Sequence, residues 1–137
     1  MAVGAAAILV LGTIMMSLVV EAKLPNTTAV SRPECVGKSA DKRYDSNVGH
    51  LMDFFVDETK NMFRKTNADD YVMYHSYPNR DSGGSVTGVA TCYRELGKLD
   101  CWSCLISAKE QINSRCHHPT GATFQLRDCS ITFKDLR

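Results

Sequence analysis

The residue types most capable of chemistry in this sequence are its six cysteines and the histidines beside one of them. Cys92, Cys101, Cys104, Cys116 and Cys129 crowd the C-terminal part of the chain, with His117 and His118 directly after Cys116, while Cys35 stands apart. Cys101-Trp102-Ser103-Cys104 followed by Cys116-His117-His118 has the ligand spacing of a tetrahedral zinc site. The same Cys-x-x-Cys at the start of a helix would carry the stabilised thiolate of a redox motif. A third chemistry is purely structural: an even cysteine number in a short chain reads as a disulfide framework, with its connectivity open. Zinc leaves an awkward remainder of the six, and the choice turns on the compartment.

The N-terminus decides the compartment. No charge occurs from Ala2 to Val20, and Ala5–Val20 is dense in Ala, Ile, Leu, Met and Val. Val20-Glu21-Ala22 then places compact residues before a cut after Ala22. Residues 1–22 therefore read as a signal peptide, although the amino terminus itself supplies the only positive charge ahead of the apolar run. The competing reading is an uncleaved anchor, because the uncharged stretch is just long enough to span a bilayer. With the peptide removed, residues 23–137 keep every cysteine and fold in an oxidising compartment, where three disulfides are the default. Asn26-Thr27-Thr28 is an N-glycosylation sequon in the polar leader.

The remaining candidates for catalysis fall away one by one. His117 and His118 follow a helix C-terminus, where an imidazolium is favourable without any catalytic duty. His75 sits among tyrosines and reads as packing. No Gly-x-Ser-x-Gly occurs, and no histidine has a local serine and carboxylate arranged around it. Asp57-Glu58 and Asp69-Asp70 are adjacent carboxylates of the solvated kind, and Gly83-Gly84 lacks the Gly-Lys-Ser/Thr of a phosphate loop. Lys plus Arg number 16 against 15 for Asp plus Glu, which argues against a nucleic-acid partner. The expectation is a non-enzymatic protein without cofactor or metal. The polar loop Asp81–Ser85 and the tyrosines Tyr71, Tyr74, Tyr77 and Tyr93 are left as surfaces that a sugar or a core would equally use.

The elements that position these residues follow from periodicity. At 137 residues, 44% hydrophobic and 23% charged, the chain holds one globular domain. Residues 23–34 form an exposed leader with a short edge strand ahead of Cys35, and Val36–Ser46 is polar and turn-like. Asn47 caps a helix of about 47–65, whose stripe is Val48, Leu51, Met52, Phe55, Thr59 and Met62, with Phe54 and Phe63 at its margins. Tyr71–Tyr77 is a strand with Tyr71, Met73, His75 and Tyr77 on one face and Val72, Tyr74 and Ser76 on the other. Ser85–Tyr93 is a second strand, in which Gly88 marks a close backbone approach. Asp100 caps a second helix from Cys101 to Arg115, and Ala122–Phe133 supplies two strands around Asp128. The sum is an α+β domain.

The cysteine spacing is more specific than any of these signals. Cys92, eight residues, Cys101, two residues, Cys104 is the C-x8-C-x2-C signature of the plant cysteine-rich secretory domain, the stress-antifungal or ginkbilobin-like family. Gly88-Val89-Ala90-Thr91-Cys92, Asp100-Cys101, Cys104-Leu105, Gly121-Ala122, Gln125-Leu126 and Asp128-Cys129 resemble the same family's context, over about residues 27–137. The resemblance implies two helices packed on a five-stranded antiparallel sheet. It also implies three disulfides, Cys35–Cys116, Cys92–Cys101 and Cys104–Cys129. The single cysteine set is similar to the single-domain secreted form, found in the apoplast.

Members of that form are similar to small mannose-binding lectins that inhibit fungal growth, using an asparagine, an arginine and a glutamate. Aligned through the cysteines, those three fall here at Val36, Thr123 and Lys134. None is kept: Val36 offers a hydroxyl nothing polar, and Lys134 replaces an acceptor carboxylate by a donor ammonium. The expected function is a secreted defence protein, antifungal and of a mannose-binding lineage, with a fungal wall glycan as partner. The alternative is a secreted module whose partner is an extracellular protein. If the disulfides are structural, the fully reduced chain should lose its cooperative unfolding transition. Circular dichroism with and without reductant checks this, and a reduced chain that melts like the oxidised one would refute it.

Overall fold

The computed structural model describes residues 32–61, 70–78, 84–93 and 96–136. The signal segment 1–22, the sequon at Asn26, Met62, Phe63, Asp69 and most of the Asp81–Ser85 loop lie outside the described residues. In chain order the elements are β1 (Glu34–Val36), α1 (Lys42–Glu58), a 3₁₀ turn at Thr59–Asn61, β2 (Tyr71–Tyr77), β3 (Val86–Cys92), α2 (Lys98–Arg115), β4 (Gly121–Gln125) and β5 (Cys129–Asp135). The strands make one antiparallel sheet in the order β1-β4-β5-β3-β2, with both helices packed on the same face. The expected α+β architecture of two helices on a five-stranded sheet is the observed one.

Helix α1 starts earlier than the apolar stripe announces. Its N-cap is Asp41 rather than Asn47: the Asp41 carboxylate accepts from the Arg43 N–H at 2.9 Å, and Ser39 Oγ accepts from the Asp41 N–H at 3.1 Å. Tyr44 then prolongs the stripe one turn upstream, fully buried, with its hydroxyl donating to the Thr120 carbonyl. A segment that looks turn-like by composition is therefore helical from Lys42, because one capped carboxylate and one buried ring suffice to anchor the extra turn. At the other end, α1 stops at Glu58 and not near residue 65. Thr59 is buried and donates its hydroxyl to the Val56 carbonyl at 2.7 Å, tightening the last turn into the 3₁₀ form. Asn47 turns outward to bridge elements, donating to the Gly84 carbonyl at 2.7 Å.

Helix α2 begins at Lys98 with Gly97 as an N-cap that offers no side-chain hydrogen bond. Asp100 lies inside the first turn instead of capping it, where its charge still complements the N-terminal end of the helix dipole. Strand β1 covers Glu34–Val36, so the edge strand includes Cys35 instead of preceding it. The turn after β1 needs Gly37: its φ is 64°, and a Cβ there would meet Thr120 Oγ1 at 2.2 Å. Thr120 in turn donates its N–H and its hydroxyl to the Val36 carbonyl at 2.8 and 2.9 Å.

The core lies between the helices and the inner face of the sheet. Leu51, Met52 and Phe55 of α1 and Leu105, Ala108 and Ile112 of α2 meet Met73, Val86, Ala90, Phe124, Ile131 and Phe133. The three disulfides are Cys35–Cys116, Cys92–Cys101 and Cys104–Cys129, as the family resemblance implies. By loop-closure entropy the first, spanning 81 residues, limits the unfolded chain most, at about 4–5 kcal/mol. An ion pair between Lys109 and Asp53 ties the two helices at the surface, a contact of at most about 1 kcal/mol.

Gly88 is the close approach that its place in a strand predicts. A Cβ there would stand 2.8 Å from Leu51 Cδ2 and 2.9 Å from the Thr132 carbonyl oxygen. The leucine tip can swing aside, but the carbonyl belongs to the paired strand β5 and cannot move without breaking the ladder. Gly88→Ala should therefore destabilise the domain by about 1–3 kcal/mol, the usual cost of forcing a methyl into a packed core. Urea denaturation measures this, and an unchanged midpoint would show that α1 can lift from β3 freely.

Candidate functional site

Strand alternation sorts the sheet into two chemically different faces. On the inner face Cys129, Ile131 and Phe133 of β5, Ala122 and Phe124 of β4, and Val86, Ala90 and Cys92 of β3 are buried under the helices. The other face has no helix over it among the described residues. Its cross-strand rows follow from the register. One row runs Val36, Gly121, Lys134, Thr87, Ser76; the next runs Glu34, Thr123, Thr132, Val89, Tyr74. A third runs Gln125, Ser130, Thr91, Val72. Hydroxyl groups dominate, and among the described residues of the strands only Glu34 and Lys134 bring charge to this face.

The three positions singled out by sequence meet on this bare face. Val36 and Lys134 flank Gly121 in one row, and Thr123 lies two residues further along β4 on the same side. Val36 is 62% exposed, and Thr123 and Lys134 are exposed as well. Gly121 between them is buried, and a Cβ there would approach the Phe133 carbonyl oxygen at 3.1 Å and Val36 Cβ at 3.7 Å. The register thus gathers residues that are 98 positions apart in the chain, from Val36 to Lys134, with no carboxylate at any of the three positions.

Sequence reasoning missed most of the surrounding hydroxyls. Ser76 and Thr87 share a hydrogen bond of 2.7 Å, and the Tyr93 hydroxyl donates toward Gln125 Oε1 at 2.9 Å and Ser130 Oγ at 3.2 Å. Alternation within each strand was the available signal, but only the register shows that Ser76, Thr87, Thr91, Thr123, Ser130 and Thr132 share one surface. It also separates the tyrosines. Tyr74 is on the bare face and 76% exposed, whereas Tyr71 and Tyr77 are half-buried at the inner side. Burial and then the nearby Glu58 carboxylate raise the Tyr71 phenol above its ordinary range, so it stays a neutral donor at physiological pH.

The histidines have structural partners. His75 stacks on Phe54 with ring centroids 3.8 Å apart and meets Tyr77 edge-on at 4.7 Å, which is the packing role expected of it. His118 adopts φ 44° just beyond α2, and its Nδ1 lies 3.2 Å from Asp45 Oδ2. His117 and His118 rim a groove of about 330 Å³ between the helices, floored by Val48, Met52, Ile112 and Phe133. The zinc and redox readings end here, because all six cysteines are paired in disulfides. Among the described residues no three His, Cys, Asp or Glu side chains gather around a common point.

A five-stranded antiparallel sheet with both helices on one face and three disulfide cross-links defines, among the described residues, a cysteine-rich α+β domain. The sequence model of the family described as salt stress response/antifungal matches residues 32–135, and the chain belongs to that family. Comparison with curated proteins found no match. Solved structures similar to the chain include two tandem DUF26 ectodomains of Arabidopsis thaliana cysteine-rich receptor-like proteins. PDLP8 is 20% identical with a TM-score of 0.64, covering 79% of this chain and 48% of its own. PDLP5 is 19% identical with a TM-score of 0.62, covering 78% and 49% respectively. The chain spans about half the length of either ectodomain, and at this identity the likeness speaks for the fold.

The three exposed positions lend themselves to a gain-of-function test. Each substitution is at the surface, so V36N, T123R and K134E should together leave stability nearly unchanged. The natural chain should give no saturable heat with free mannose, and the triple variant should give it. Isothermal titration of both oxidised proteins decides, and equal silence would show that these positions do not make a sugar site on this backbone.

Proposed function

We propose that the chain is a secreted, non-enzymatic defence protein with antifungal activity, acting by binding a glycan of the fungal cell wall through the bare face of its sheet. In this reading residues 1–22 are a signal peptide, the mature protein starts at Lys23, and it works in the apoplast, where its disulfides persist. The observation that carries the reading is the placement of Val36, Thr123 and Lys134 on one uncovered surface with a field of hydroxyls. Sugar recognition uses a few placed polar groups beside an aromatic or apolar platform. Thr123, Thr132, Ser76 and Thr87 supply the former, with Tyr74 and Val36 as the latter. The loss of the acceptor at Lys134 turns the expectation away from free mannose and toward an extended polysaccharide, which meets many weak contacts at once.

A second reading, a module for an extracellular protein partner, is favoured by a different place. Leu99 is 79% exposed and Trp102 is 46% exposed, one turn apart at the start of α2. Exposed apolar side chains next to an aromatic one are typical anchors of protein interfaces.

The experiment is co-sedimentation of the oxidised, secreted chain with insoluble mannan, chitin and β-glucan, beside growth inhibition of a filamentous fungus. N-terminal sequencing of the same material should read from Lys23. Binding to one polysaccharide that Thr123→Ala with Lys134→Ala weakens, and that Trp102→Ser leaves intact, is the expected result. Retention on none of the three and no inhibition would overturn the glycan reading. Binding lost only in Trp102→Ser would move the site to α2.

A further inference from the structure

The two outer edges of the sheet are built differently. β1 is three residues long, carries Glu34, and is tied down by the Cys35–Cys116 disulfide. Short length and charge are the usual devices that stop an edge strand from pairing with another chain. β2 has neither. It runs for seven residues, Tyr71-Val72-Met73-Tyr74-His75-Ser76-Tyr77, without lysine, arginine, carboxylate or proline. Among the described residues it pairs only with β3, on one side, and no other strand pairs with its outer side.

We propose that two copies of the chain associate through β2, by antiparallel pairing about a two-fold axis at Tyr74 that joins their sheets into one. The strand is nearly its own mirror image about that residue. Tyr71 then faces Tyr77 of the partner subunit, Val72 faces Ser76 of the partner subunit, and Met73 faces His75 of the partner subunit. Tyr74 faces Tyr74 of the partner subunit. Every pair keeps like with like: Tyr71, Met73, His75 and Tyr77 share the inner face, and Val72, Tyr74 and Ser76 the bare one. Directly opposed aromatic and aromatic–apolar pairs are the stabilising unit of antiparallel sheets. A two-fold axis needs a surface that complements itself in this way.

The polar groups that flank the strand agree with the register. Glu58 stands near enough to Tyr71 to act on its phenol, while His50 lies beside Tyr77 with ring centroids 6.3 Å apart. Setting Tyr71 against Tyr77 of the partner subunit brings the carboxylate of one copy toward the imidazole of the other at both ends. Centring the pairing on His75 instead would oppose two imidazoles and shorten the overlap at Pro78. The pairing puts both bare faces on one side of a continuous sheet, so a repeating polymer would meet two surfaces at once. The association itself does not rest on the glycan reading.

Sedimentation velocity of the oxidised full-length secreted chain, from micromolar to millimolar concentration, should show a reversible monomer–dimer equilibrium. Tyr74→Lys opposes two ammonium groups at the axis and should raise the dissociation constant at least tenfold, about 1.4 kcal/mol, with an unchanged circular dichroism spectrum. Tyr74→Cys supplies a second test, since directly opposed residues bring their Cβ atoms to disulfide distance. It should cross-link two chains through position 74, as peptide mapping would show, with the native three bridges intact. A chain that stays monomeric throughout overturns the proposal. So does a dimer that tolerates Tyr74→Lys and forms no bond between the two positions 74.

Discussion

The structure depends on how helix α2 is fastened to the sheet. Cys92 and Cys129 are opposite residues on the paired strands β3 and β5. Their disulfide partners, Cys101 and Cys104, are three apart in α2 and therefore adjacent on one side of the helix near its start. Two covalent bonds thus hold one helical turn over one rung of the ladder, and the third fastens Cys116, at the other end of α2, to β1. The helix can neither slide nor rotate on the sheet. Its own N-terminus has no side-chain cap and little amphipathic drive, so the bridges replace what local propensity leaves weak.

Fixing α2 also fixes which face of the sheet is dry. Once Leu105, Ala108 and Ile112 are held against Phe124, Ile131 and Phe133, every second residue of β4 and β5 is buried and every other one is turned away from the core. The bare face can then carry threonines, serines and a lone lysine at little cost in stability, and its composition is open to change for binding. A rigid, cross-linked layer with a polar layer on its back separates the residues that hold the fold from those that face away from the core. The histidines that looked chemical have structural partners: His75 is half-buried and stacked on Phe54, and His118 Nδ1 lies against Asp45 Oδ2.

Much of this was legible in the residues. The strand alternation of Tyr71–Tyr77 and of Cys129–Phe133, the turn at Asp128 and the close approach at Gly88 all follow from side-chain type and period. The first turn of α1 did not, because Lys42, Arg43 and Asp45 around a single Tyr44 carry no periodic signal; the cap at Asp41 and a hydrogen bond to Thr120, far along the chain, decide it. The end of that helix was overestimated for the converse reason. Apolar residues continued at helical spacing, while Thr59 closed the turn with its hydroxyl. The resemblance carried by C-x8-C-x2-C led to the disulfide pairing, which spacing alone left open.

The sequence by itself determined the class of fold, the apolar stripes of the two helices from Val48 and Cys101 onward, the two faces of each strand and, through a resemblance, the family, since periodicity and cysteine spacing are local quantities that one chain segment records. Only the tertiary structure decided that Val36, Thr123 and Lys134 share a surface with five further serines and threonines, that Tyr74 and not Tyr71 is presented to solvent, and that β2, among the described residues, pairs on one side only. These depend on the order and register of strands. That order is set by how distant segments pack and cross-link, and no local pattern encodes it.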